Sequence, residues 1–62
     1  MQFIELTGMY MGKRILVNIN SIAEVWEDED GKVKVYCVGD GDGFFVRQSY
    51  DIVVNMIHDA LS

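Results

Sequence analysis

The stretch Lys32-Val33-Lys34-Val35-Tyr36-Cys37-Val38 alternates apolar and polar side chains with a period of two, the pattern of a half-buried strand. It follows Asp28-Glu29-Asp30-Gly31, where the Asp30-Gly31 pair is a strong hairpin signal. A run of matching composition, Ile22 to Glu27, lies on the other side of that turn. Further upstream, Gln2 to Thr7 and Lys13 to Asn18 are rich in β-branched and aromatic residues and read as two more strands. The loop between them, Gly8-Met9-Tyr10-Met11-Gly12, has unusually apolar middle residues. Asn18-Ile19-Asn20-Ser21 reads as a turn, because Asn and Ser side chains compete for backbone groups. Downstream of Gly39 to Gly43, a short fifth strand is expected over Phe44 to Arg47.

The period then changes. Val53, Met56, Ile57 and Ala60, with Leu61, follow helical spacing, so Tyr50 to Leu61 is expected to be a helix. Ser49 stands where an N-cap belongs, and Asp51 suits the positive end of the helix dipole. The fold class is therefore α+β, with about five short antiparallel strands followed by one C-terminal helix. Such strands form a small sheet or a partly open barrel.

Length and composition restrict function. Sixty-two residues make one domain, residues 1–62, with a small core and marginal stability. With a single cysteine, Cys37, no internal disulfide exists, and Cys37 with His58 cannot complete a structural zinc site. Self-association is the remaining supplement to the core, so a homodimer is expected. Half the residues are hydrophobic and 24% are charged, which is too apolar for disorder. No apolar run reaches the ~20 residues that span a bilayer. Nor do the first residues carry the basic and hydrophobic regions of a signal peptide. The net charge of −5 opposes nucleic acid and anionic membranes, and the five basic residues form no stripe. A cytoplasmic location, no direct nucleic-acid binding and no membrane insertion are expected.

Catalytic groupings are sparse. Ser49 and His58 fall nine residues apart on a helix and point to different faces. Cys37 and His58 have no evident third group to orient them, so no enzyme activity and no cofactor is expected. The Asp-x-Asp-Gly runs at Asp28 to Gly31 and Asp40 to Gly43 fail as EF-hand loops. If Asp28 and Asp30 were ligands three and five, the first and twelfth positions would be Trp26 and Cys37. Nor does Gly39 to Gly43 match a phosphate-binding loop, since Asp40 and Asp42 oppose an anion. Both segments read as hairpin turns, with a contact surface as the alternative.

Two sets of residues suggest binding. Trp26, Glu27, Asp28, Glu29 and Asp30 combine the one tryptophan with dense negative charge. This is either a solvated hairpin tip or an acidic patch that docks a partner protein with a basic surface. Met9, Tyr10 and Met11 are large apolar residues on a loop, a composition enriched at interface centres. They either fold back over the domain or contact another chain.

Ile4-Glu5-Leu6-Thr7, Gly12-Lys13 before a strand ending in Asn18, and Ile22 fit a wider pattern. Phe45-Val46 leading into Ser49 and a helix with Val53 and Ile57 complete it. In these positions the chain resembles the FlbD/SwrD family of small flagellar-associated proteins. That resemblance implies a flagellar accessory role. In size, acidity and a strand-rich body closed by a helix, the chain is also similar to small bacteriophage proteins, some of which block bacterial defence systems. The leading expectation is a non-enzymatic inhibitor of a bacterial defence component that acts by binding. The flagellar role is the alternative, as is an oligomeric binder of a small ligand such as a nucleotide.

Overall fold

A computed structural model describes residues 2–62. The α+β layout follows the sequence pattern closely. Strands β1 (Phe3–Thr7), β2 (Arg14–Asn18), β3 (Ile22–Glu27), β4 (Val33–Cys37) and β5 (Phe44–Val46) precede one helix, α1 (Tyr50–Leu61). Four of the expected strands are a residue shorter at one or both ends, while β3 and α1 keep their expected bounds.

All pairings are antiparallel. β1 and β2 form one sheet in the register Ile4↔Val17 and Leu6↔Ile15, while β3-β4-β5 form another. The sheets do not close into a barrel; among the described residues they meet at one isolated bridge, Gly8↔Val46. The Arg47 N–H donates to Thr7 O at 2.8 Å and the Met9 N–H to Phe45 O at 3.0 Å, which carries β1 past its last residue alongside β5. In place of a simple turn, Ile19–Ser21 forms a 3-10 turn capped by Asn18, with the Ile19 N–H donating to Gln2 O at 3.1 Å. The Asn18 carboxamide oxygen accepts from the Asn20 N–H at 2.9 Å, and Ile19 is buried in the core.

The core is small and aliphatic: Ile4, Leu6, Val17, Ile19, Val33, Val35, Val46 and Val53 are buried. Alternation explains the membership, since Ile4 and Leu6 point inward while Phe3 and Glu5 between them are exposed. β3 breaks strict alternation. A bulge between Ile22 and Glu24 lets both Ile22 and Val25, three residues apart, pack against the core. Beyond the bulge, Glu24 and Trp26 face solvent.

Helix α1 covers the inner faces of both sheets, packing on β1 and β3 and burying Val53 completely. Ser49 caps it, with Oγ accepting from the Ile52 N–H at 3.2 Å, and Asp51 lies in the first turn. Just before the cap, the Gln48 side chain accepts from the Thr7 N–H at 2.9 Å and donates to Thr7 Oγ1 at 3.0 Å. This two-point contact fixes the helix start against the end of β1. Among the described residues no helix is long and apolar enough to cross a membrane.

Candidate interaction face

The inner face of the three-stranded sheet is filled by Val33, Val35 and Val46, so the residues between them point outward. The register pairs Trp26 with Lys34 and Lys34 with Phe45. Residues directly opposite across antiparallel strands share a face, which sets Trp26, Lys34 and Phe45 in one row perpendicular to the strands. Tyr36, two residues beyond Lys34, is on the same face opposite Glu24.

Contacts within the row are aromatic. The Lys34 ammonium lies 5.1 Å from the Tyr36 ring centroid and 5.0 Å from that of Phe45, within cation–π range of both. The Trp26 indole N–H donates to Glu24 Oε1 at 3.2 Å. At the far end, Tyr10 meets Phe45 edge-to-face, with centroids 6.1 Å apart and planes at 84°. Trp26 is 59% exposed and Tyr10 71%, whereas Lys34, Tyr36 and Phe45 are half-buried beneath them. Trp26, Asp28, Lys32, Lys34, Tyr36 and Phe45 line a cleft of about 140 Å³.

The β1–β2 loop reaches this face because its backbone is tied to β5. In addition to the Met9–Phe45 bond, Arg47 Nε donates to Met9 O at 3.2 Å. Gly12 turns the loop back at φ +64°, with the Arg47 guanidinium 3.4 Å from where a Cβ would stand. Of the two sequence alternatives for this loop, the fold-back over the domain describes Met9. Met9 is half-buried as the loop folds over the sheet, while Tyr10 and Met11 project into solvent, Met11 at 77% exposure.

The acidic hairpin lies beside Trp26. Asp28 organises it: Oδ1 accepts from the N–H groups of both Asp30 and Lys32 at 2.9 Å, and the Asp28 N–H returns to Lys32 O at 2.9 Å. Glu27, Glu29 and Asp30 are exposed, and among the described residues the one ion pair is Glu5–Arg14, on β1 and β2. Five carboxylates around the Trp26 end thus outnumber the two lysines, and none is ion-paired.

Asp40 and Asp42 are not part of this grouping. They sit in the β4–β5 loop at the opposite end of β4 from the hairpin, with Asp40 Oδ1 accepting from the Asp42 N–H at 3.2 Å. Nearby Cys37 is a free, half-buried thiol whose pKa is raised by burial and further by the charge of Asp40. His58 is exposed in the last turn of α1.

Of the residues singled out by sequence, Trp26, the hairpin carboxylates and Tyr10 fall around one face, while Met11 is exposed on the same loop as Tyr10. Lys34, Tyr36 and Phe45, which join the two sets, were not among them. Comparison with family models, with curated proteins and with solved structures finds no match.

Proposed function

We propose that this chain is a non-enzymatic protein-binding module that works through the outer face of its three-stranded sheet. The observation that supports this reading is the exposure of Trp26 in an ordered row with Lys34 and Phe45. Aromatic residues concentrate at the centres of interfaces, where a rigid ring contributes large contact area with little loss of side-chain freedom. The hairpin carboxylates form the rim and favour a partner with a basic surface, accelerating encounter more than they hold the complex.

The first cellular role we assign to the module is inhibition of a bacterial defence component by occupancy of a basic surface. The second, favoured by the resemblance at Ile4 to Thr7 and Phe45 to Ile57, is that of a flagellar accessory protein. Either role needs a binding face and no chemistry, and the module acts as a homodimer in both.

Immobilised chain exposed to a bacterial lysate tests the face directly. A partner recovered by the parent protein should be lost with Trp26→Ala. With Glu27→Lys/Glu29→Lys it should associate more slowly and with a flatter dependence on salt. Recovery of the same partner with unchanged kinetics by both variants would place the binding surface elsewhere.

A further inference from the structure

We propose, resting on the protein-binding reading above, that the aromatic row receives a proline-rich segment carrying an arginine or lysine at one end. Three features select this occupant. The first is spacing. Neighbouring strands lie about 4.8 Å apart, so two intervals separate Trp26 from Phe45 by about 9.6 Å. A polyproline II helix repeats every three residues at about 3.1 Å per residue, or about 9.3 Å per turn. Prolines at positions i and i+3 of a segment crossing the strands therefore fall on Trp26 and on Phe45, with the Lys34 stem between them. Tyr10, edge-on to Phe45, continues the track by one further contact.

The second feature is the chemistry of the surface. The row offers ring faces and a methylene stem, and the Lys34 ammonium and Tyr36 hydroxyl in the cleft can both donate to the carbonyls of a bound segment. The Trp26 N–H is already directed to Glu24, and the Lys34 ammonium sits over two rings. A segment whose prolines lack N–H groups lies on such a surface without leaving donors unpaired. The cleft of about 140 Å³ is well below the roughly 300–1,000 Å³ of small-molecule sites and has room for a single side chain. A helix laid across the face would need a long apolar groove, and an added strand would pair with a sheet edge instead of its face.

The third feature is charge. The acidic hairpin adjoins Trp26 along β3, with Asp28 lining the cleft and Glu24 at the indole N–H, so the basic residue of the segment belongs at that end. This chain contains no proline, so no segment of a second copy can be the occupant. Lys34 itself works against a basic ligand, which makes its charge a separate handle.

Trp26 is the only tryptophan, and its emission reports occupancy without labelling. The probes are a nonapeptide with Pro at every third position and a terminal Arg, its Arg→Glu version, and its Pro→Ser version that keeps Arg. The proline–arginine peptide should shift the emission with half-saturation in the micromolar range. Arg→Glu and Pro→Ser should each weaken it at least about tenfold, since the first reverses a charge beside the acidic hairpin and the second removes both ring-packed prolines. Phe45→Ser should abolish the shift with the circular dichroism spectrum retained, and Lys34→Met, which keeps the stem and removes the charge, should tighten binding. Equal affinity for the Pro→Ser peptide would overturn the proposal and leave the protein-binding face standing. An emission shift produced by protein concentration alone, with no response to peptide, would overturn it in favour of a second copy. No response to any peptide, together with lysate capture insensitive to Trp26→Ala, would remove both readings.

Discussion

Replacing Trp26 by alanine should leave the domain folded, whereas replacing Leu6 should not. Trp26 is 59% exposed, so folding removes roughly two-fifths of its side-chain surface from water. With about 250 Å² for a tryptophan, that is on the order of 100 Å², or about 2.5 kcal/mol at 25 cal/mol per Å². Residual compactness of the unfolded chain lowers the figure to about 2 kcal/mol. Leu6 is fully buried in β1, and its truncation should cost about 3–5 kcal/mol through lost transfer energy and the cavity left behind. At about 0.05–0.15 kcal/mol per residue, the whole domain has about 3–9 kcal/mol of stability. Urea unfolding followed by circular dichroism should thus give a cooperative transition for Trp26→Ala at a lower midpoint. Its melting temperature should fall by about 8–16 °C, given about 4–8 °C per kcal/mol for a domain this small. Leu6→Ala should have little or no folded baseline. A Trp26→Ala protein without a cooperative transition, or one less stable than Leu6→Ala, would show that Trp26 belongs to the core and refute the interaction face.

Ser49→Ala should destabilise the domain by about 1 kcal/mol and Ser49→Asp should be nearly neutral, because a carboxylate can also accept from the Ile52 N–H; thermal melts compare them. Gly43→Ala should be far more damaging than Gly31→Ala. Both glycines have positive φ, but a Cβ at Gly43 would stand 2.9 Å from Val35 O and the Tyr36 ring, while nothing lies within 4 Å of one at Gly31. The excess should be at least about 1 kcal/mol, measured by urea midpoint, over the ~1–2 kcal/mol of backbone strain common to both. The Cys37 thiol, with its pKa raised, should label slowly with disulfide reagents at neutral pH and faster as pH rises beyond the ordinary thiol range. Since the folded state favours the neutral thiol, its contribution to stability is complete below the unfolded-state pKa and is lost as pH climbs through the folded one. A homodimer at micromolar concentration should give a light-scattering mass near twice 7.1 kDa; a monomer with a concentration-independent melting temperature would contradict it.

Element type was legible wherever periodicity was strong. β4 alternates cleanly, and α1 switches to a 3.6-residue period just after a capping serine, so both could be placed from residues alone. Register was not legible. A four-residue turn at Asp28 to Gly31 would pair Glu27 with Lys32 and Trp26 with Val33, a core position. The observed register, Glu27↔Val33 and Trp26↔Lys34, is one residue longer on the β4 side. The cause is local: Asp28 Oδ1 accepts from Lys32 as well as Asp30 and draws Lys32 into the turn. Because side chains alternate, that one residue decides whether Trp26 sits across from a buried valine or an outward lysine. The row with Phe45 was hidden for a related reason, since β5 has three residues and too little pattern to set its register. The β1–β2 loop reaches the face through backbone bonds to β5 and an Arg47 contact, long-range features that no local sequence signal encodes.

The outward aromatics have a competing explanation in the stability of the sheet itself. Cross-strand pairs involving aromatic residues contribute about 0.2–1 kcal/mol each, and Trp26–Lys34–Phe45 supplies two such neighbours. A three-stranded sheet with a valine core could gain from them without any partner. The two roles separate at Trp26→Thr. Threonine is β-branched, suits a solvent-facing strand position and packs against the Lys34 stem, so it recovers part of the pairing energy while removing the ring. If the aromatic row exists for the sheet alone, binding of a captured partner should survive Trp26→Thr in proportion to the folded protein present. If it exists for recognition, Trp26→Thr should melt closer to the parent than Trp26→Ala and yet lose the partner as completely. The size of the domain favours the second outcome. With Leu6, Val33, Val35, Val46 and Val53 already fully buried, the interior is closed by aliphatic side chains, and threonine or valine on the outer face would keep most of the strand's preference without a large exposed ring. The Trp26 ring held there at 59% exposure adds apolar surface that the folded monomer does not bury, surface that contact with a partner would remove from water.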